Sequence, residues 1–387
     1  MTGSFPLSRP RLVLRITEYT FLAILLCKQR DDSSSEPAMA TFDRDRTVAY
    51  FLQHLRELPE PYTSAETNRL TLCYFCLSGL HLLDAVDKVP KKEIIDWIYN
   101  LQLCPSPETP NQYWEHAGFI GGSFLGGPFI GTESSFRPPS SYLHGHLAMT
   151  YTAIISLVIL GDDLSRLQRE PIARALFSLQ DTDGNFVATS AGGEKDLRFV
   201  YCAAVVSRLL GLDKDLFDKD RAARFIMSCW NYDGGFGLCP GQESHGGAAY
   251  VGYAALVLME KQDEAMTPGQ KQKLGSWCLR RQSTGGFQGR CNKLVDTCYS
   301  FWIGGTLQML GQEWLDMMDK DSLREFLLRG TQTKMGGFSK VPGIYPDVLH
   351  SYFGLCGLSL IGSSEDGVQP ISAMFGMAAD LAKTLSL

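Results

Sequence analysis

The sequence lacks a basic surplus. Lysine and arginine number 36 against 42 acidic residues, a formal net charge of −6 in 387 residues. Nucleic-acid binders usually carry a basic footprint, so that class is disfavoured, while a local basic pocket stays compatible with the balance. Long apolar runs are scarce too. Leu12–Cys27 is rather apolar, but Arg15 and Glu18 interrupt it, and a membrane helix needs about 20 apolar residues. The run ends in Lys28-Gln29-Arg30-Asp31-Asp32 rather than in a small-residue cleavage site, which speaks against a secretory leader. Period-two alternation is sparse, which leaves little signal for strands. A disulfide framework is also missing. The 11 cysteines are odd in number and scattered, several of them inside apolar runs such as Leu72-Cys73-Tyr74-Phe75-Cys76. That usage suits buried, reduced thiols in the cytoplasm. No Cys-x-x-C pair suggests a zinc ribbon, so a metal site would have to be assembled from distant residues.

Hydrophobic residues make up 44 % of the chain, enough for a sizeable core. Residues 31–38 read as disordered, and helical pattern begins near Asp43. Residues 1–42 are therefore expected to be an extension outside the fold, and 43–387 a single domain.

The informative feature is an internal repeat. Its marker is a Gly-rich turn ending in phenylalanine: Asp183-Gly184-Asn185-Phe186, Asp233-Gly234-Gly235-Phe236, Thr284-Gly285-Gly286-Phe287 and Met335-Gly336-Gly337-Phe338. The phenylalanines are 50, 51 and 51 residues apart. Ala117-Gly118-Phe119 is a looser copy, with a Gly/Pro/Ser-rich insertion behind it over 121–141. Ahead of the turns lie stretches of helical period with charged positions, such as Asp163–Gln180 and Lys271–Gln282. Behind them lie stretches apolar nearly all round: His146–Leu160, Leu197–Leu210, Gly246–Met259, Thr297–Leu310 and His350–Leu360. A half-polar helix packs on one side and an all-apolar one is buried. The alternation predicts an all-α fold, an α/α barrel with inner and outer rings of helices built from repeats of about 50 residues.

Each repeat places ionisable groups where an inner helix begins. Arg198, His245, Asp296 with Cys298, and His350 lie 9–12 residues after their repeat phenylalanines. If the barrel closes, all face one mouth, where charged groups need partners or a ligand. Asp296, Cys298 and His350 supply a carboxylate, a thiolate and an imidazole, the three-ligand set of a catalytic zinc with one open position. Taken singly, Cys298 is an ordinary core thiol and His350 an ordinary hydrogen-bonded histidine; their equivalent places in adjacent repeats favour a metal site. Arg290, Lys293, Lys340 and His245 form a cationic group suited to a phosphate or diphosphate. The plainer reading is solvated loop charge. Tyr201, Tyr250, Tyr299, Trp302, Tyr352 and Phe353 lie early in the inner helices, as lining of an apolar funnel or as simple core.

Val295-Asp296-Thr297-Cys298-Tyr299-Ser300-Phe301-Trp302, Glu243-Ser244-His245-Gly246-Gly247 and the repeated Gly-Gly-Phe turns resemble the beta subunits of protein prenyltransferases, over roughly residues 43–365. The cysteine motif with its upstream Gly289-Arg290-x-Asn292-Lys293 is the most specific part. The resemblance implies that Asp296, Cys298 and His350 bind one catalytic zinc. It implies that His245, Arg290, Lys293 and Tyr299 hold an isoprenoid diphosphate. Farnesyltransferases carry a magnesium-binding aspartate where this chain has Lys340. A lysine there is similar to the type I geranylgeranyl enzymes, in which its charge stands in for the metal, so magnesium is not expected to be required. Thr71, where the farnesyl enzymes have tryptophan, implies room for a fourth isoprene unit. Thr71, Phe75 and Leu349 match positions that shape the pocket for the substrate's last residue, Trp302 lines the lipid, and Arg198 matches an arginine near the peptide's carboxyl end. Leu72-Cys73-Tyr74 leans toward the farnesyl enzymes. Asn111–Phe136 is only loosely similar, and residues 1–42 match nothing in the family.

By the same resemblance the chemistry is thiol alkylation. A free thiol has a pKa of about 8.5, and zinc holds it as thiolate. Attack on C1 of geranylgeranyl diphosphate then prenylates proteins, small GTPases among them, that end in Cys-a-a-X with X leucine or phenylalanine. A helical-repeat alpha subunit is the implied partner in a cytoplasmic heterodimer, with no nucleic acid and no membrane span. The alternatives are a farnesyltransferase beta subunit, the type II geranylgeranyl enzyme, and a non-catalytic protein-binding barrel, which would leave Asp296, Cys298 and His350 without purpose. A terpene cyclase shares the barrel but needs DxDD or DDxxD motifs, and neither occurs.

Overall fold

A helix apolar on every side must be covered on every side, so the alternation in the sequence demands two layers. The computed structural model describes residues 40–105, 113–123, 141–212, 215–362 and 364–385, and these contain that layering. In chain order its helices are α1 (Arg44–Arg56), α2 (Arg69–Leu82), α3 (Lys91–Tyr99), α4 (Leu147–Ile159), α5 (Arg169–Ser178), α6 (Leu197–Leu210), α7 (Lys219–Ser228), α8 (Gly246–Leu258), α9 (Pro268–Leu279), α10 (Tyr299–Leu310), α11 (Lys320–Glu325) and α12 (Val348–Ile361). The even-numbered helices form the inner ring: α2 packs on α4, α4 on α6, α6 on α8, α8 on α10, α10 on α12, and α12 back on α2. The odd-numbered helices lie outside them, each against its inner neighbour. The expected all-α toroid is the observed fold. Inner helix α4 is buried at every position except Ala148 and Val158. Outer helix α7 buries only Ala222, Ala223, Phe225 and Ile226.

The repeated turns explain the spacing. Gly184, Gly234, Gly285 and Gly336 share φ values of +95°, +95°, +88° and +88°. A Cβ at these positions would also lie 2.2, 2.9, 2.6 and 2.3 Å from a backbone carbonyl oxygen of the next outer helix, at Arg221, Lys273, Ser322 and Arg46 respectively. Positive φ and close backbone approach both select glycine. Arg46 belongs to α1, so the last turn docks on the first outer helix and the ring closes. The turn phenylalanines Phe186, Phe236, Phe287 and Phe338 are fully buried.

A C-terminal hairpin enters the ring. Strands Ile371–Ser372 and Met377–Ala378 pair antiparallel, and the turn between them meets the inner helices through side chains. Tyr74 and Tyr352 donate to the Gly376 carbonyl. Tyr151 donates to Phe375 (3.3 Å), Tyr201 to Met374 (3.2 Å) and Tyr250 to Ala373 (2.7 Å). The Ala373 N–H donates to Gln308 (3.0 Å). Each of the six inner helices thus supplies one tie.

Two expectations need correction. The repeat marker does not single out helix α2 as an inner stretch, yet α2 is one. It is entered from a 3-10 segment, Glu60–Asn68, instead of a Gly-Phe turn, so the marker is missing where the helix is present. The fold also takes in residues 40–42, which the sequence pattern places in the extension. Ala40 and Phe42 pack on the core, and the Phe42 ring stacks on Phe338 at 6.2 Å. The rest of the extension, and most of the insertion over 121–141, lie outside the described residues.

Phe338→Ala is expected to lower stability by about 3–5 kcal/mol, the usual result of deleting a buried ring. Tyr232→Ala, at a position 99 % exposed, should stay within about 0.5 kcal/mol of the parent. Denaturant unfolding of the two variants side by side checks both values.

Candidate metal centre and apolar cavity

The residues of the centre sit where inner helices start, because short polar side chains there satisfy the free N–H groups of the first turn. Asp296 Oδ1 accepts from the Cys298 N–H (3.0 Å) and from its thiol (2.8 Å). Asp347 caps α12 by accepting from the His350 N–H (2.9 Å), and its other oxygen holds His350 Nδ1 at 2.6 Å. His350 Nε2 then lies 3.3 Å from Asp296 Oδ1. Thr297 joins the loops before α10 and α12: its hydroxyl donates to the carbonyls of Ser339 (2.7 Å) and Lys340 (3.2 Å), and its N–H to that of Lys340 (3.0 Å). Ligating atoms of Asp296, Cys298 and His350 consequently fall within 4.8 Å of one another, the sole such group among the described residues.

The electrostatics fit a cation. Burial pushes the Cys298 thiol well above its ordinary pKa, and the Asp296 charge adds to this. Burial also pushes Asp296 up, but hydrogen bonds from His350 and Cys298 outweigh it and leave the carboxyl below its usual value. Burial would lower His350; its bonds to Asp296 and Asp347 prevail and raise it to about 9. Protons therefore balance the charge at the place where a metal ion would. A thiolate, an imidazole and a carboxylate are borderline-soft donors suited to zinc. Asp347 supplies the carboxylate on the far side of the histidine ring that orients such ligands.

The cationic residues are spread along the same mouth. Lys340 Nζ lies 3.6 Å from Asp296 Oδ2, and Arg290 pairs with Glu243 at 3.3 Å. Lys293 is exposed. His245 caps α8: its Nδ1 accepts the Gly247 N–H at 3.0 Å, so the ring hydrogen sits on Nε2, 2.9 Å from the Tyr299 hydroxyl. Burial, with the Arg290 charge, lowers the His245 pKa. Burial, with the charges of Cys298 and Asp296, raises that of Tyr299. His245 is thus a neutral donor to Tyr299, whose own hydrogen stays free for an incoming anion.

A cavity of about 270 Å³ opens beside these groups, lined by Thr71, Phe75, Arg198, Tyr201, His245, Trp302 and others. Part of its wall is a chain of ring contacts, Trp302 to Phe353 at 5.0 Å and Phe75 to Phe353 at 5.5 Å, and Tyr299 packs on Trp302 at 5.2 Å. Thr71 faces Met149 Sδ at 3.4 Å. Arg198 is held by Asp196 (2.6 Å) and Glu194 (2.9 Å). Leu349 is half-buried against the core and does not line the cavity. A larger groove, about 540 Å³, lies between α1, α2 and α3 and includes none of these residues.

Sequence reasoning passes over Asp347, Met149 and the lining tyrosines Tyr74 and Tyr151. Asp347 carries a readable signal, an aspartate three residues before His350 at the start of an apolar helix. The others have none, since a side chain's opposite neighbour across a ring is not encoded locally.

Residues 42–377 match the family described as the prenyltransferase alpha-alpha toroid domain. The chain is 41% identical over 346 residues to a geranylgeranyl transferase type-1 subunit beta of Arabidopsis thaliana, covering 87% of this chain and 89% of the relative. Against the Dictyostelium discoideum subunit of the same description, identity is 38% over 82% of this chain and 90% of the relative. A solved structure, Candida albicans protein geranylgeranyltransferase-I complexed with GGPP, superposes with a TM-score of 0.77 at 26% identity, covering 89% of this chain and 98% of that one. Its repeats, closed ring and aligned length place this chain in the prenyltransferase alpha-alpha toroid family, among the beta subunits of protein prenyltransferases.

Proposed function

We propose that the chain is the catalytic beta subunit of a type I protein geranylgeranyltransferase. It would transfer a geranylgeranyl group from its diphosphate to the cysteine of proteins ending in Cys-a-a-X, with X leucine or phenylalanine. The observation that carries this reading is the Asp296–Cys298–His350 group with Lys340 beside it, at the mouth of an apolar cavity. The type-1 relatives and the structure complexed with GGPP support the lipid and a heterodimer with an alpha subunit. Abundant free cysteines support a cytoplasmic setting. Among the described residues no helix is long and apolar enough to cross a membrane.

Zinc bound by Asp296, Cys298 and His350 would hold the substrate thiol as thiolate at neutral pH. The sulfur forms a bond to C1 of the lipid as the C1–oxygen bond breaks, and diphosphate leaves with the electron pair. Arg290, Lys293 and Lys340 would stabilise the charge growing on that leaving group, and Tyr299 would donate its free hydrogen to it. His245 uses both ring nitrogens, so its part is to orient Tyr299. The aromatic wall takes the tail, each buried methylene contributing about 0.8 kcal/mol. Lys340 puts a fixed charge where the farnesyl enzymes bind magnesium, and Thr71 leaves wall space open.

The direct test is competition between farnesyl and geranylgeranyl diphosphates in the heterodimer, with zinc present, magnesium chelated and a peptide ending in Cys-a-a-Leu. Preferential transfer of the 20-carbon lipid is expected; preference for the 15-carbon lipid would make the chain a farnesyltransferase subunit. Cys298→Ala should lose bound zinc and transfer together, whereas Asp347→Ala should weaken zinc affinity about 10–100-fold with the fold intact, as metal titration would show. Binding must expel protons from Cys298 and from His350, whose pKa is raised to about 9. Zinc affinity should therefore fall by at least about tenfold per pH unit on acidification below 8. Lys340→Asp should slow transfer without magnesium and regain part of it when magnesium is added. No magnesium response in that variant would contradict the role given to Lys340.

A further inference from the structure

The cationic loop at the mouth holds a thiol that the transfer chemistry does not use. Residues 289–294 turn between Gln288 and Val295, which pair as an isolated antiparallel bridge. The Lys293 N–H returns to the Arg290 carbonyl at 3.4 Å, and Asn292 takes a φ of +59°. The tip of the loop is therefore Arg290-Cys291-Asn292-Lys293. Cys291 is the one exposed cysteine among the described residues. Arg281, just past the end of α9, reaches this loop. It is only 8 % exposed and its guanidinium lies 5.1 Å from the Trp277 ring centre. Nη1 donates to the Cys291 sulfur at 2.7 Å, and Nε has no partner. Cys291 is the sole side-chain hydrogen-bond partner of this guanidinium among the described residues. A buried cation needs an anion or hydrogen-bond acceptors around it. The acceptor offered to Arg281 is a sulfur open to solvent.

We propose that Cys291 is a site of reversible thiol modification, which takes the acidic peptide thiol glutathione as a mixed disulfide, and that the modified loop excludes a diphosphate. The consequence for the isoprenoid diphosphate rests on the prenyl-transfer reading above. Reactive cysteines sit in partly exposed, electropositive settings, where the sulfur attacks as thiolate. Here Arg281 supplies a guanidinium at the sulfur itself, and Arg290 and Lys293 flank it in the chain. The co-reactant is glutathione disulfide. Cys291 gives up its proton, its sulfur bonds to one sulfur of the disulfide, and the disulfide bond breaks. The second glutathione leaves with the electron pair and takes up a proton. Excess reduced thiol runs the same exchange backwards. The adduct brings carboxylates beside Arg290 and Lys293, where they compete for the cations that a diphosphate would use. The other described thiols are poorer sites. Burial pushes Cys73 and Cys202 up to about 12, and of the rest only Cys239 is partly exposed.

The test treats the zinc-loaded heterodimer with glutathione disulfide and maps the mass of every cysteine-containing peptide over time. Cys291 should be modified at least about tenfold faster than Cys239, and dithiothreitol should remove the adduct. Full modification should lower kcat/KM for geranylgeranyl diphosphate at least about tenfold, the loss expected when a charge-assisted contact is broken. Exclusion is mutual, so saturating inorganic diphosphate should slow the modification at least about fivefold. Cys291→Ser should keep the parental Tm, zinc content and kcat/KM within about twofold and lose the response to glutathione disulfide. Arg281→Gln should slow modification of Cys291 about tenfold; if that variant loses its fold, the comparison of Cys291 with Cys239 in the parent decides. Equal rates at those two cysteines, no protection by inorganic diphosphate, or a fully modified Cys291 with parental kcat/KM would each overturn the inference. A parent that transfers no isoprenoid would overturn the proposed function, and the modification rates with and without inorganic diphosphate would then decide the inference separately.

Discussion

Helices that are apolar all round can bury their innermost faces only if the ring they form is complete, since an open row would leave its two end helices wet. Closure is therefore the constraint on which the rest of this structure depends. It is achieved in three places. Helix α12 packs on α2, Gly336 of the last repeat turn lies against the backbone of α1, and the C-terminal hairpin reaches inside to tie the inner helices together. The last device also solves a polar problem. Five tyrosine hydroxyls buried inside the ring would each cost about 1–3 kcal/mol if left unpaired, and the carbonyls of the turn over 373–376 accept from all of them.

Closure also creates the electrostatic character of the mouth. Every inner helix starts at the same end, so partially positive N-termini converge there and favour an anion. The caps on those helices are not uniform. Asp196, Asp296 and Asp347 place negative charge at three positions, while His146 and His245 cap neutrally through Nδ1. Two of the aspartates serve one metal-binding group, one as a candidate ligand and one behind His350. The same capping chemistry that begins a helix thus separates a cation site from an anion site on one rim. Lys340 lies at the boundary, 3.6 Å from Asp296.

Much of this is legible in the residues. Gly184, Gly234, Gly285 and Gly336 announce the repeat, and the apolar stretches behind them announce the inner ring. Asp296, Cys298 and His350 stand at equivalent points of adjacent repeats, which is why they can be grouped although 54 residues separate the first from the last. Helix α2 escapes because its entry is a 3-10 segment without the marker. Leu349, assigned to the peptide pocket by resemblance alone, is half-buried against the core beside His350, and no local pattern singles it out. A helix position one residue from a ligand points about 100° away from it.

The sequence by itself determined the layering, the period and the chemical kinds of group at each helix start. All three come from local rules: helical periodicity, the steric demand for glycine at positive φ, and the preference for short polar caps. Only the tertiary structure decided which groups meet. It set Asp347 behind His350, left His245 neutral with Tyr299 as the free donor, and brought a hairpin from the far end of the chain to the floor of the cavity. These depend on distances between residues up to 302 positions apart, as for Tyr74 and Gly376. Such distances are fixed by ring closure and not by any local pattern in the chain.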